Sequence, residues 1–252
     1  MAEAVLPPTS SPDQGPIEPV VLDGLAVPDP AGTPSYRGGL RVWALPTDVV
    51  ADADLDRARP WFDEEERAQA SAFVRAELRR SYEVAHAVAR LVVGTVLDRD
   101  PAAVAWDRHD CPGCGEPHGR PRVEGGPGGV EFSLAHTPGL VLVAVADGPV
   151  GVDVERFPAA EDLAGLAGVL HTDEAAEVEK SDDPGESVVR FTRAWTRTEA
   201  YLKGVGIGLG RDPHLDYLGT DAAPERLLED WRIRDVAVPG GFGAAVATRD
   251  AE

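Results

Sequence analysis

The chain has 252 residues, and its 44 acidic residues outnumber its 24 lysines and arginines, which gives a formal net charge of −20. This charge disfavours a general nucleic-acid-binding protein and a protein that binds anionic membranes, because both need a basic face that pairs with phosphates. No apolar run approaches the roughly 20 residues of a membrane-spanning helix, and no signal-peptide pattern opens the chain. With 2 cysteines, a disulfide-stabilised secreted fold is also disfavoured, and we expect a cytoplasmic protein.

The distribution of charge and proline divides the chain into three segments. Residues 1–35 are rich in proline and contain acids but no base, and they are predicted to form a disordered leader. Residues 36–148 and residues 149–252 each show the order helix, loop, strand, strand. This order favours an α+β fold made of two similar halves over alternating βαβ units.

Two helices are predicted in the first half. Residues 63–66 are all acidic and mark the start of a helix, since acids are favoured at its positive end. Apolar residues then recur every three or four positions from Val74 to Val96, which predicts a longer helix that ends near Asp98. A loop rich in Gly, Pro and Cys follows at residues 107–129.

The other elements are predicted from alternation, apolar runs and helical periodicity. They are strands at residues 132–134, 140–146, 150–155, 231–238 and 243–248, a helix at 173–180, and a helix from about residue 187 to Gly204.

Residues 67–90 form a basic window in this acidic chain, with five arginines, two glutamates and a net charge of +3. The window has two interpretations. Its arginines either belong to a solvated helix face with salt bridges, or they form an anion-binding site.

Two acidic residues share one face of the predicted strand at 150–155. Because side chains alternate along a strand, the valines point one way and Asp153 and Glu155 point the other, about 7 Å apart. Carboxylates at this spacing can converge on one hard cation. The alternative is an exposed strand face in an acidic protein.

Glu199 favours the metal interpretation, because it lies on the apolar face of its predicted helix. A carboxylate there costs several kcal/mol unless a partner compensates it. A Mg²⁺ ion shared with Asp153 and Glu155 would be such a partner, since this ion prefers hard oxygen ligands. Lys203 lies one turn after Glu199 and could either pair with it or contact a bound phosphate. A purely structural ion pair of Glu199 is the alternative.

Five sequence elements occur in order over about residues 61–210. They are the arginine-rich helix with Tyr82, His86 and Arg90, then Gly119-Arg-Pro121, Phe132-Ser-Leu-Ala-His136, Gly151-Val-Asp-Val-Glu155 and Trp195-Thr-Arg-Thr-Glu-Ala-Tyr-Leu-Lys203. Together they resemble the signature of the Sfp-type 4′-phosphopantetheinyl transferases.

The resemblance implies two similar α+β halves with coenzyme A bound in the cleft between them. Residues 36–148 would form the nucleotide side, and residues 149–252 would carry the Mg²⁺ ligands and face the carrier protein. The implied reaction transfers the 4′-phosphopantetheine arm of coenzyme A to a serine of an apo acyl or peptidyl carrier protein and releases 3′,5′-ADP. A monomer is expected. The composition is typical of GC-rich genomes and favours polyketide or nonribosomal-peptide carriers as partners.

The resemblance also assigns roles by motif position. Asp153, Glu155 and Glu199 would hold Mg²⁺ on the pyrophosphate, and Asp153 and Glu199 are the candidate catalytic residues, with Glu199 as the base. Lys203 would contact the pyrophosphate. The remaining basic residues expected to bind coenzyme A phosphates are Arg79, Arg80, Arg120 and His136.

Two positions depart from the family pattern. Ala135 stands where a serine is common, and Thr198 stands where a lysine is common. These differences leave open a non-catalytic relative that binds coenzyme A or carrier proteins. A Mg²⁺-dependent pyrophosphate hydrolase, which would share the same metal ligands, is a further alternative.

One motif lies outside the signature. Cys111-Pro-Gly-Cys114, with His109 and His118 nearby, has ligand types that suit zinc. Three interpretations remain open: a Gly/Pro turn that happens to carry two thiols, a structural zinc site, or a reversible disulfide.

Overall fold

The fold is α+β, as predicted, and it is built on two β-sheets. The computed structural model describes residues 15–26, 38–124, 130–222, 228 and 230–249. The strands in this part of the chain are β1 Val20–Val21, β2 Arg41–Pro46, β3 Trp106–Arg108, β4 Pro121–Val123, β5 Glu131–Thr137, β6 Leu140–Ala146, β7 Val150–Arg156, β8 Trp231–Asp235 and β9 Phe242–Arg249. The helices are α1 Asp52–Ala58, α2 Glu64–Ala72, α3 Ala76–Leu97, α4 Leu163–Leu166, α5 Thr172–Glu179 and α6 Pro184–Val205.

The first sheet has the strand order β1-β2-β6-β5-β4-β3, and the second has the order β7-β9-β8. Neighbouring strands are antiparallel, except that β1 runs parallel to β2. The turn at residues 147–149 connects β6 to β7 and so leads from one sheet to the other. The segment predicted as a loop, residues 107–129, contains strand β4 and the end of β3.

The two sheets pack face to face, and a long helix covers the outer face of each. Leu142 and Ala144 of the first sheet share an apolar cluster with Val152 and Val246 of the second. Helix α3 packs on the other face of the first sheet. Helix α6 packs on the other face of the second sheet, against β7 and β9. The layers therefore follow the order α3, sheet, sheet, α6.

Helix α2 begins as its acidic residues predict. Oδ1 of Asp63 accepts a hydrogen bond from the Glu66 amide at 2.8 Å, and Oε2 of Glu66 accepts one from the Asp63 amide at 3.0 Å. This reciprocal capping box satisfies two amides that have no partner inside the helix.

Helix α3 is shorter than its predicted apolar stripe. The helix begins at Ala76, Val74 precedes it with a fully exposed side chain, and Leu78 is 44 % exposed. The buried residues of α3 begin at Glu83, so its first two turns contribute little to the core. The start predicted at Val74 is therefore wrong by about half a turn.

Part of the predicted leader is ordered. Val20 and Val21 pair with β2, Leu25 is buried in the cluster beneath α3, and Ile17 bridges to Val236 beside the second sheet. Residues 15–26 thus contact both sheets, and the disorder predicted for residues 1–35 does not hold for them. The rest of that segment lies outside the described residues.

No helix in the described part of the chain combines the length and the apolar character needed to cross a membrane.

The close approach of β7 to α6 depends on Gly151. A Cβ atom at this position would overlap the carbonyl oxygen of Ala200 and the amide nitrogen of Gly204, both in α6. Because these are backbone atoms, they cannot move aside as a flexible side chain would. Glycine at 151 therefore lets α6 lie directly against the strand that carries Asp153 and Glu155.

Replacing Gly151 by alanine should lower the free energy of unfolding by about 1–3 kcal/mol or more, the usual cost of overpacking a core. Denaturant unfolding followed by circular dichroism measures this loss. Gly165→Ala is the matched control, since a Cβ there meets nothing within 4 Å. It should leave stability unchanged or raise it by up to about 1 kcal/mol. Equal stability of the two variants would contradict the packing of β7 on α6.

Candidate active site

Asp153 and Lys203 form the centre of the site. Asp153 lies on the face of β7 that meets α6 and is 4 % exposed, and its Oδ1 accepts a hydrogen bond from Nζ of Lys203 at 2.6 Å. Its other oxygen, Oδ2, is buried and makes no hydrogen bond within the described residues. A buried carboxylate oxygen without a partner is costly. A bound cation would remove this cost.

Glu155 and Glu199 belong to the same electrostatic cluster. Burial raises the pKa of Glu155 to about 7, and the charges of Asp153 and Glu199 add to the shift while Lys203 and a hydrogen bond to Thr137 oppose it. Burial and the charge of Asp153 also raise the pKa of Glu199, against the effect of Lys203. Burial likewise raises the pKa of Asp153 despite its bond to Lys203. The charge of Lys203 thus opposes the pKa increase of all three carboxyl groups.

The donor set fits a hard divalent cation, because it consists of carboxylate oxygens with an excess of negative charge. The ligand oxygens of Asp153, Glu155 and Glu199 are not all within 4.8 Å of one another; among the described residues only Cys111, Cys114 and His118 meet that distance as a group of three. Binding one ion through all three carboxylates therefore requires their side chains to move closer.

The raised pKa of Glu155 predicts a pH-dependent stability difference between the wild type and Glu155→Gln. The charged carboxylate is disfavoured in the fold, so above pH 7 the Gln variant should be the more stable protein in a buffer with chelator. As the pH falls from 7 towards the ordinary value of 4.5, the folded wild type binds a proton that the unfolded chain releases. The advantage of Gln should therefore shrink over this range, as measured by urea unfolding.

An advantage of Glu155→Gln that does not change between pH 8 and pH 5 would contradict a raised pKa at Glu155. Glu161→Gln is the control, because its side chain is exposed in the segment before α4.

Arg120 lies against the C-terminal end of α6. Its Nη1 donates a hydrogen bond to the carbonyl oxygen of Gly204 at 2.8 Å, an arrangement that the helix dipole favours. Burial lowers the pKa of Arg120, although the charge of Glu131 opposes the shift. The Nε atom is buried without a hydrogen bond within the described chain, and the Glu131 carboxylate is 3.8 Å away. An anionic oxygen would supply the missing acceptor.

His136 lies near the start of α3. Its Nδ1 is 3.3 Å from Oγ of Ser81. Desolvation of the ring, followed by Coulombic interactions with His86 and Lys203, lowers the pKa of His136. His136 is thus close enough to Lys203 for their charges to interact.

Arg79 and Arg80 make contacts within the fold instead. Nε of Arg79 donates to the carbonyl oxygen of Ala70 at the end of α2, and Nη2 of Arg80 donates to the carbonyl oxygen of Val50. Neither lines the cavity described below. These contacts agree with a structural interpretation of the basic window, and a role of the two arginines in nucleotide binding stays a prediction.

A cavity of about 1030 Å³ lies beside the carboxylate cluster. Its lining residues come from helices α2 and α3, from the first sheet, and from the end of α6. Lys203 lines the cavity and also bonds to Asp153 of the carboxylate cluster. Its lining includes Glu66, Tyr82, His86, Trp106, Phe132, Arg120 and Ile207.

One wall of the cavity contains a buried polar network that the sequence analysis did not identify. Glu66 accepts hydrogen bonds from Arg90 at 2.7 Å and from the Trp106 indole at 3.0 Å, and its Oε1 lies 2.8 Å from Nδ1 of His86. The His86 ring stacks on Tyr82 with centroids 4.0 Å apart. The acidic run at residues 63–66 predicts a helix start, but no sequence signal links Glu66 to Trp106.

The two departures from the family pattern lie in buried positions. Ala135 is 3 % exposed and faces the apolar layer between the sheets. Thr198 is 1 % exposed, and its hydroxyl makes no hydrogen bond among the described residues. The neighbouring Arg197 does not replace a missing cation in the site, because it donates to Asp235 and to the carbonyl oxygen of Gly219.

The family model and the known proteins that are similar to this chain all carry the name phosphopantetheinyl transferase. A family model described as the 4′-phosphopantetheinyl transferase superfamily matches residues 149–235. The chain is 26 % identical over 226 residues to the 4′-phosphopantetheinyl transferase HetI of Nostoc sp., an alignment that covers 88 % of this chain and 92 % of the relative.

Two further relatives have similar names. A 4′-phosphopantetheinyl transferase of Bacillus subtilis is 28 % identical over 198 residues, covering 75 % of this chain and 81 % of the relative. A phosphopantetheinyl transferase of Thraustochytrium sp. is 30 % identical over 188 residues, covering 68 % of this chain and 62 % of the relative. The matched region contains Asp153, Glu155, Glu199 and Lys203, and it confirms the resemblance inferred from sequence. Residues 149–235 therefore form a domain of the 4′-phosphopantetheinyl transferase superfamily, and the chain resembles proteins of that name over most of its length.

Proposed function

We propose that the chain transfers the 4′-phosphopantetheine arm of coenzyme A to a serine hydroxyl of an apo acyl or peptidyl carrier protein, with release of 3′,5′-ADP. The observation that carries this proposal is the position of Lys203. It bonds to the buried Asp153, and it also lines a cavity of about 1030 Å³. This volume lies at the upper end of the range typical of small-molecule and cofactor sites.

Coenzyme A would bind in this cavity, between two similar halves of the chain. The aromatic rings of Tyr82 and Trp106 offer apolar surface, and Arg120 and Lys203 offer positive charge. The Nε of Arg120, which makes no hydrogen bond within the described residues, would donate to a phosphate oxygen. The proposal thus places the phosphates at the end of the cavity that adjoins the carboxylates.

Asp153, Glu155 and Glu199 would hold Mg²⁺, which when bound neutralises charge on the pyrophosphate. The unpartnered Oδ2 of Asp153 and the raised pKa values of the three carboxyl groups support this assignment.

The chain's own side chains would carry out the remaining tasks. Lys203 would donate to a pyrophosphate oxygen and would keep the Asp153 carboxylate in place. Glu199 would accept the proton of the serine hydroxyl. Its raised pKa supports this role, because a base works best when its pKa lies near the operating pH.

Nucleotide release measured with and without apo carrier protein tests the proposal. The chain is incubated with Mg²⁺ and coenzyme A, and 3′,5′-ADP is quantified by chromatography. Release only in the presence of an apo carrier supports the transferase. Release without a carrier would instead identify a pyrophosphate hydrolase, and tight coenzyme A binding without release would identify a non-catalytic relative.

A further inference from the structure

We propose that Cys111, Cys114 and His118 bind a zinc ion at a site separate from the carboxylate cluster. One ligand atom from each of the three residues lies within 4.8 Å of those of the other two. Sγ of Cys114 and Nε2 of His118 are 2.9 Å apart. Both cysteines are free thiols in the structure. Of the three interpretations of this motif, the geometry thus favours the zinc site.

The backbone itself brings these side chains together. The carbonyl oxygen of Cys111 accepts a hydrogen bond from the amide of Gly115 at 2.8 Å, and Gly115 has a φ of +79°, which glycine adopts without strain. The Cys111 sulfur accepts hydrogen bonds from the amides of Gly113 and Cys114. These bonds close a tight turn with both sulfurs on one side.

A second set of backbone bonds returns His118 to this turn. The carbonyl oxygen of Glu116 accepts hydrogen bonds from the amides of Cys111 and His118, each at 2.8 Å. The arrangement of the three ligands is therefore fixed by main-chain contacts before any ion binds.

The donor set selects the metal. Two sulfurs and one imidazole nitrogen suit zinc, and they do not suit Mg²⁺, which prefers oxygen. Cys114 and His118 are exposed, so solvent can supply the fourth ligand. His109 is not a ligand in this arrangement, because its Nε2 is 2.9 Å from the Glu131 carboxylate.

The loop that carries the three ligands, residues 111–118, is connected to the cavity. His118 lines the cavity and lies two residues before Arg120, which bonds to the end of α6. Ile207 packs so closely over Gly113 that a Cβ atom there would lie 2.9 Å from its Cδ1. The ion would therefore hold the loop in the conformation that places Arg120 against α6.

The metal content of the full chain tests the proposal. The chain is purified without a metal-binding tag, incubated with excess ZnCl₂ under reducing conditions, freed of unbound metal by gel filtration and measured by mass spectrometry of metals. The wild type should retain about one zinc ion, as a single site predicts. Cys114→Ser and His118→Ala should each lose it. Both positions are exposed, so circular dichroism should show the wild-type fold.

Cobalt provides an independent readout. Co²⁺ in this site should give a sulfur-to-metal charge-transfer band that is absent from Cys114→Ser. Glu155→Gln and His109→Ala are the controls and should keep both the zinc and the band. No retained zinc, or a rapid Cys111–Cys114 disulfide that excess zinc does not prevent, would overturn the proposal. Neither result depends on transfer activity, so this proposal and the proposed function fail separately.

Discussion

Replacing Asp153 by asparagine should abolish transfer while leaving the fold at least as stable as the wild type. The variant keeps the shape of the side chain and removes its charge. The loss in rate should reach about 100-fold or more, the size found when one electrostatic contact to a transition state is removed. Phosphopantetheine transfer to an apo carrier at saturating coenzyme A measures the rate.

The stability part of this expectation follows from the environment of Asp153. Its pKa is raised by burial even though Lys203 donates to it at 2.6 Å. The charged form is therefore disfavoured in the fold, and a neutral side chain of equal size removes that penalty. Lys203 keeps access to solvent at the cavity, so it is not left as an isolated buried charge.

Asp162→Asn is the matched control, because it removes the same charge from an exposed side chain that does not cap its helix. This variant should keep wild-type transfer. A fully active Asp153→Asn protein would contradict the assignment of the site. An inactive but unfolded one would contradict the stability argument, and Asp153→Ser would then separate activity from folding.

Replacing Arg90 by methionine should cost about 3–5 kcal/mol of unfolding free energy, because it leaves a buried acid without its partner. Arg90 is fully buried in α3. It donates to Glu66 at 2.7 Å, to Asp63 at 2.8 Å and to the carbonyl oxygen of Val104 at 2.6 Å. Its guanidinium also lies 5.2 Å from the centre of the Trp106 ring.

The charge state of Glu66 supports this size of effect. Burial alone would raise its pKa, but hydrogen bonds from His86 and Arg90 lower it to about 2. Glu66 is therefore charged in the fold at neutral pH, and without Arg90 the fold must either bury that charge or bind a proton.

Urea unfolding of three variants tests the network. Arg79→Met, at an exposed position of the same helix, should cost only about 1 kcal/mol, since it loses one part-buried and one exposed hydrogen bond and leaves no buried acid without a partner. The double variant Glu66→Met/Arg90→Met should recover part of the loss of Arg90→Met, because neither charge remains. Equal losses for Arg79→Met and Arg90→Met would contradict the role of Arg90.

The elements that the sequence predicted best are those with a strong local pattern. The alternation at 150–155 correctly placed Asp153 and Glu155 on one face of β7, because a side-chain period of two leaves no other arrangement. The sequence also predicts that Glu199 shares a cation with these acids, and helix α6 brings Glu199 into the same electrostatic cluster. Lys203 is predicted to pair with Glu199 or to contact a phosphate, and in the fold it donates to Asp153. Gly206, with a φ of +86°, ends α6 two residues after the predicted end at Gly204.

The features that the sequence left open depend on contacts between distant segments. The contact of Ile17 with Val236 joins residues more than 200 positions apart and could not be inferred from proline content. The family resemblance implies that Arg79 and Arg80 contact the nucleotide, whereas their hydrogen bonds depend on where the carbonyl groups of Ala70 and Val50 lie in the folded chain. The buried Glu66 network and the approach of His118 to Cys114 also require the folded chain.

Intact-protein mass spectrometry of the carrier tests the central claim most directly. The chain is incubated with Mg²⁺, coenzyme A and a panel of apo acyl and peptidyl carrier proteins. At least one carrier should gain about 340 Da, the mass of the phosphopantetheine arm moved by this metal-assisted transfer. The gain should appear with the wild type and Asp162→Asn and be absent with Asp153→Asn. No gain on any carrier would contradict the account, as would an equal gain with Asp153→Asn.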